Sequence, residues 1–355
     1  MSSAIQRMFA AVATVAVILT GTAVAQAPGQ GRWTKFAPFP EPSQEIGGTS
    51  VGGKLYVIGG LPFAAGQSPA PKGIVWEYDG ATDKWAKKKN MPGPAHHVAV
   101  TSYRGKLYVF GGGTQVEPGG SNWVPTNRAW EYDPAADSWR ELAPMPTARG
   151  AAVAVEVGGK MYVIGGASVH PGQKIVGLSA TVPHRALGTN EEYDPATNTW
   201  RTRSPMPTAR NHAAIGAVNG KIYVLGGRIA SVFVVASNAD VVEEYDPATD
   251  SWGLLKARMP LARSGTAYGT FAGKIYVAGG EFLDNDIVGT FRDLDAYDPA
   301  ANQWTSFPPL PLSRHGMVGG IIANRFHVVS GHLQSGAVFG TPMDSDANDG
   351  FELDR

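Results

Sequence analysis

The octet GKIYVLGG at residues 220–227 is written four more times with little change: GKLYVIGG at 53–60, GKLYVFGG at 105–112, GKMYVIGG at 159–166 and GKIYVAGG at 273–280. A degenerate sixth copy, NRFHVVSG, occupies 324–331. The glycine pairs begin at 59, 111, 165, 226 and 279, at intervals of 52, 54, 61 and 53 residues. Self-similarity at such a period marks a repeat architecture. Downstream of the pairs lie Tyr78, Tyr132, Tyr193, Tyr245 and Tyr297, followed by Trp85, Trp139, Trp200, Trp252 and Trp304. Every Tyr-to-Trp step is seven residues, while the step from glycine to Tyr varies. A constant step after a variable one predicts a rigid hairpin behind a variable loop.

Each unit reads as four short strands. In residues 212–259, HAAIGAV is small and apolar and GKIYVLGG alternates; VVEEYDP leads into the turn DPATD, and SWGLLKARM follows. β-Branched and aromatic residues suit strands, and Pro and Asp suit the turn. One such sheet cannot bury both faces alone. Radial stacking of copies solves this, which is the propeller arrangement. The double glycine, the Tyr and Trp at fixed spacing and the period near 50 resemble the kelch repeat family, over residues 32 to 355. The resemblance implies an all-β, six-bladed kelch β-propeller with four-stranded antiparallel blades. The repeats run over 45–94, 95–149, 150–210, 211–263, 264–314 and 315–355, the last completed by 32–44. RWTKFAPFP (32–40) matches SWRELAPMP (138–146), with Trp33 in the tryptophan place. ELDR (352–355) aligns with the EYDP of other copies. The N-terminal strand is therefore expected to close the sixth blade, removing open edges.

Bulk properties narrow the function. Lys plus Arg and Asp plus Glu are balanced at 30 each, so no net field favours nucleic acid or an anionic membrane. There is no cysteine, which excludes disulfides, thiol nucleophiles and thiolate metal sites. It also excludes the copper site of the seven-bladed kelch enzyme galactose oxidase, which needs a Tyr crosslinked to a Cys. Residues 1–25 read as a signal peptide: Arg7, then an apolar stretch ending in Ala23-Val24-Ala25. Cleavage would leave 26–355 as a periplasmic or secreted protein, without a membrane span and monomeric; the alternative is that the stretch, just long enough to cross a bilayer, is kept as an anchor.

Specificity should lie where the copies differ. The loops after the glycine pairs, at 61–75, 113–128, 167–190, 228–241, 281–293 and 332–348, are long, and long loops tend to carry function. The residues directly after the pairs are Leu61, Gly113, Ala167, Arg228, Glu281 and His332. In kelch adaptors an arginine at the place of Arg228 binds acidic peptides; Glu281 and His332 depart from that pattern. The linkers contribute a second ring. They carry Arg149, Arg210, Arg263 and Arg314, read as donors to neighbouring loops, and two residues later Glu45, His97, Ala151, His212, Gly265 and Gly316. Of these, His97 and His212 match pore-reaching positions, with His96 and His315 expected to point elsewhere. Arg228, Glu281, His332, His97 and His212 are thus the expected ligand-binding residues. Trp123, Phe63 and Phe233 are candidate anchors for a protein partner. No cofactor and no metal ligand are assigned, and DSDANDG (344–350) is read as a turn rather than a calcium loop. The expected role is non-catalytic recognition of a carbohydrate or protein on the long-loop face. The alternative is a mutarotase or epimerase resembling the periplasmic sialic acid mutarotase, with Arg228 and Glu281 as catalytic candidates.

Overall fold

The computed structural model describes residues 30–62, 70–117, 120–172, 177–178, 184–231, 236–283, 288–335 and 343–353. The signal segment and the anchors Phe63 and Phe233 lie outside them. All regular structure among the described residues is β-strand. Six four-stranded antiparallel sheets form the blades. Blade 1 holds Gly47–Val51, Lys54–Ile58, Val75–Asp79 and Lys84–Lys87. Blade 4 holds Ala214–Val218, Lys221–Leu225, Val242–Asp246 and the short Ser251–Trp252. Blades 2, 3 and 5 begin at Ala99, Val153 and Ala267. The first strand of each blade is innermost and neighbours the first strand of the next, in a closed circle.

Blade 6 is assembled from both ends of the chain. Val318–Ile322, Arg325–Val329 and Asn348–Glu352 are completed by Trp33–Lys35, with Trp33 opposite Phe351. In blade 1 Tyr78 lies opposite Trp85. Phe351 therefore takes the tyrosine place, and the ELDR alignment is corrected by two residues. The reason is pairing: Phe326 faces Phe351 as Leu55 faces Tyr78, so the octet sets the register.

The core lies between blades, in six clusters. Each receives the tyrosine or Phe351, a tryptophan, and apolar octet residues; Tyr56, Ile58, Val109 and Tyr132 fill the one between blades 1 and 2. Full burial of such side chains contributes roughly 1.5–3 kcal/mol each. The tryptophan also ties blades together. Trp139 Nε1 donates to Lys89 O at 2.9 Å, and Trp33 Nε1 donates to Pro308 O at 2.8 Å.

The long loops start as hairpin extensions. Gly113–Thr114 pairs with Val124–Pro125, Arg228–Ile229 with Ser237–Asn238, and Glu281–Leu283 with Val288–Thr290. This places Arg228 and Glu281 on rigid backbone at one end of the axis.

Candidate functional site

The linkers enter the innermost strands through six residues with left-handed backbone: Glu45 (φ 53°), His97 (54°), Ala151 (53°), His212 (52°), Gly265 (63°) and Gly316 (65°). Their peptides form a ring around the axis. His97 N donates to Glu45 O (2.8 Å), Ala151 N to His97 O (3.0 Å), His212 N to Ala151 O (3.0 Å) and Gly265 N to His212 O (3.0 Å). Gly316 N donates to Gly265 O (2.9 Å), and Ile46 N closes the ring on Gly316 O (3.4 Å). A left-handed conformation costs glycine little and other residues about 1–3 kcal/mol. Glu45, His97, Ala151 and His212 carry that cost.

Their side chains meet. His97 Nε2 lies 2.9 Å and His212 Nε2 3.9 Å from Glu45 Oε2, and the two imidazole rings are 4.8 Å apart. Arg228 docks against them. Its Nη2 donates to His212 Nε2 (3.0 Å), its Nε to Asn211 Oδ1 (3.2 Å) and its Nη1 to Glu281 Oε1 (2.7 Å). Ser335 Oγ donates to Glu281 Oε2 at 3.0 Å. His315 Nε2 sits 3.5 Å from Glu45 Oε1 and 3.5 Å from Glu281 Oε2, bridging the carboxylates. Arg228 and Glu281 are 2% and 1% exposed, so their ion pair is buried.

Burial alone would raise the Glu45 carboxyl, but the facing His97 and His315 hold it well below the usual carboxylate range. Burial, reinforced by Arg228 and His97, pushes His212 well below an ordinary histidine, so it is neutral. His315 goes the other way. Burial would lower it, but the Glu281 and Glu45 carboxylates outweigh that and raise it. Behind the ring, burial and then His97 push His96 down to about 3.

Of the expected residues, His97, His212, Arg228 and Glu281 share this cluster. His332 stands behind it: its Nδ1 is 2.9 Å from Asp344 Oδ1, and its ring is 6.0 Å from that of His315. His315 does not point elsewhere. Its backbone bridges to His332, which turns the side chain inward onto Glu45 and Glu281. His96 instead supports His97 from behind, with Nε2 on Asn122 O at 2.8 Å. Trp123 is no surface anchor. It is 6% exposed and stacks on His97, with ring centroids 4.1 Å apart and planes 14° from parallel. Glu45 lies outside the expected ligand-binding set, and its place among the ring residues two after the linker arginine position is the sequence signal for it.

The linker arginines lie away from this cluster. Arg149, Arg263 and Arg314 pair with Glu191 (2.6 Å), Asp295 (2.7 Å) and Asp349 (2.8 Å), and Arg210 pairs with Glu243, each tying a linker to the third strand of the blade it enters. They are blade straps rather than donors to neighbouring loops. Below the ring lies a cavity of about 80 Å³ lined by Glu45, His97, His212, Thr266, Tyr268 and Met317, with room for a few waters. At the next level Gly48, Val100, Ala154, Ile215 and Gly319 surround Tyr268, the largest side chain there.

Comparison with known proteins agrees with this architecture. Residues 55–339 match the model of the Attractin/LZTR1 beta-propeller family. Kelch-like protein terF of Aspergillus terreus is 29% identical over 90% of this chain and 68% of its own length. Kelch-like protein 25 of Xenopus tropicalis is 27% identical over 78% of this chain. Kelch repeat and BTB domain-containing protein 12 of Homo sapiens is 30% identical over 58%. The chain spans 43% and 33% of the length of these latter two. A solved structure titled "Structure of YjhT" superposes with a TM-score of 0.69 at 19% identity, covering 88% of this chain and 95% of that one. With its six kelch blades and this family match, the chain belongs to the kelch-repeat propellers, within the Attractin/LZTR1 beta-propeller family.

Proposed function

We propose that this propeller is an exported binding protein that recognises a carbohydrate, or a polar side chain offered by a protein, on its long-loop face. The observation that carries the reading is the convergence of Glu45, His97, His212, Arg228, Glu281 and His315 from five blades. The repeat does not require them. Equivalent ring positions hold Ala151, Gly265 and Gly316, and equivalent loop positions hold Leu61, Gly113 and Ala167. Unlike the buried strap pairs, which recur from blade to blade, these groups have no counterpart in the other copies, and perturbed groups gathered in one place mark functional sites. Fixed donors and acceptors in a cluster of this kind suit hydroxyls and carboxylates.

The test is saturation-transfer NMR on the mature protein with neutral sugars, uronic acids and sialic acid. Binding abolished by Arg228→Gln or Glu281→Gln, with folding intact, supports the reading. Silence across the panel rejects a free sugar and leaves the protein-borne group, sought by crosslinking in periplasmic extracts.

The 2.7 Å Arg228–Glu281 pair, with His315 3.5 Å from the same carboxylate, favours a second reading as a sugar mutarotase. A carboxylate beside a protonatable imidazole can move the proton that ring opening requires. Accelerated exchange between anomers in the same spectra selects it, and binding without exchange rejects it. Export rests on Ala23-Val24-Ala25 and is tested by the mature N-terminus, expected at Gln26.

A further inference from the structure

The geometry points to a site for a divalent transition-metal ion of the zinc type on the propeller axis, held by Glu45 Oε2, His97 Nε2 and His212 Nε2. One ligand atom from each of these residues lies within 4.8 Å of the others. Two imidazoles and a carboxylate suit first-row ions such as zinc, and three protein ligands leave a position open. The inference does not depend on the ligand read for the loop face.

The hydrogen bonds behind the rings determine which nitrogens are available. Asn122 O can only accept, so His96 Nε2 carries a proton toward it at 2.8 Å. His96 Nδ1 is then an acceptor, and the His97 Nδ1–H donates to it. That leaves His97 Nε2 as the ring atom facing Glu45 Oε2, 2.9 Å away, carrying a lone pair in the neutral ring and a proton in the imidazolium. Two lone pairs do not face each other at that distance unless a proton or a cation lies between them. His212 repeats the arrangement: its Nδ1–H donates to Asn211 Oδ1 at 2.5 Å, leaving the Nε2 lone pair on the side that faces Arg228 and Glu45. An outer hydrogen bond on Nδ1 that orients Nε2 is the usual support of a metal-ligating histidine. It is built here twice, from two blades.

Room and reach also fit. The other three ring positions are Ala151, Gly265 and Gly316, so no bulky side chain from the ring itself competes for the axis, and the small cavity opens below. Donor atoms around one tetrahedral zinc lie roughly 3.4 Å apart. The 2.9 and 3.9 Å separations from Glu45 Oε2 bracket that value. Arg228 Nη2 occupies the His212 Nε2 lone pair in the metal-free arrangement. On metal entry it gives up that one bond and keeps Glu281 and Asn211. A modest rotation of His212 toward Glu45 then completes the set.

The experiment is calorimetric titration of the chelator-dialysed mature protein with zinc chloride, alongside cobalt(II) absorption spectra. The expected result is saturable binding of one ion per chain. His97→Gln and His212→Gln should each weaken it about 100-fold or more, at least the loss caused by removing a supporting outer group. Circular dichroism checks that both variants fold. If either does not, cobalt(II) NMR of the unaltered protein decides, with two hyperfine-shifted imidazole Nδ1–H signals expected. Absence of saturable binding, binding insensitive to both substitutions, or a cobalt complex without those two signals overturns the site and leaves a proton between His97 and Glu45.

Discussion

Arg210 and Glu243 form a buried pair that other blades of the same molecule replace. Where blades 3 to 6 place Arg149, Arg210, Arg263 and Arg314 against Glu191, Glu243, Asp295 and Asp349, blade 1 has Ser43 and Trp76, and blade 2 has Ala95 and Trp130. The acid or Trp faces the same octet valine in every blade. Arg210→Ala should therefore cost about 3–5 kcal/mol in urea unfolding, because Glu243 is left charged and buried. The double variant Arg210→Ala, Glu243→Trp copies blade 2 and should regain most of it; a double variant no more stable than the single would sink the account. Some of the site was legible at this scale. Arg228 and Glu281 stand out because they break a repeated position. His315 is not legible in this way because it precedes the ring residue, in a row with Gln44, His96, Gly150, Asn211 and Ser264. That row forms bridges to the post-glycine residues, and the bridge to His332 is what turns His315 in toward Glu45 and Glu281.

The hairpin that joins the third and fourth strands accounts for the constant seven-residue step. Tyr245 OH donates to Asp250 Oδ1 at 2.6 Å, and Ser204 N of the preceding blade's outer edge donates to the same oxygen at 2.8 Å. Tyr193 with Asn198 and Tyr297 with Asn302 do likewise. The Asp or Asn, always five after the Tyr, has left-handed backbone, a conformation these two residues tolerate. Asp250→Asn should thus be nearly neutral. Asp250→Ala should lower stability by about 2 kcal/mol, since a buried donor loses its acceptor; thermal melts of the two variants compare them directly. The closing strand makes a different prediction. Deleting residues 30–38 would bare the edge of Asn348–Glu352, which Trp33–Lys35 covers. An open edge recruits other chains, so the truncated protein should self-associate in light scattering. A stable monomer would count against closure by this strand.

Across the whole molecule, stability should depend on pH through buried histidines. Burial holds His96 at about 3 and keeps His212 and His327 below the ordinary 6.5. As pH falls through 6.5 the unfolded chain takes up these protons and the folded chain does not. Stability should drop between pH 6.5 and 5 by roughly 1 kcal/mol per pH unit for His96 and for His212, with His327 adding in the same direction. His315 has the opposite sign. Its folded value is raised, so its contribution is complete below 6.5 and is lost as pH rises through the raised value. Urea midpoints from pH 5 to 9 should show both limbs, and His315→Gln should remove only the alkaline one. A profile flat from pH 7 to 5 would refute the assignment of neutral buried histidines.

Fold and site differ in how local their determinants are. The strands, their order, the six blades and the N-terminal closure follow from the sequence alone. Each copy carries its own alternation, turn and aromatic pair, and copies that cannot bury their faces singly must stack. The site is not local in this way. Glu45, His97, His212, Arg228, Glu281 and His315 are spread over most of the chain. They meet because a ring of left-handed peptides turns one residue per blade toward a common axis, while the hairpin extensions aim a second. Which of those side chains touch, which are held charged and which neutral, was decided only by the three-dimensional packing around that axis.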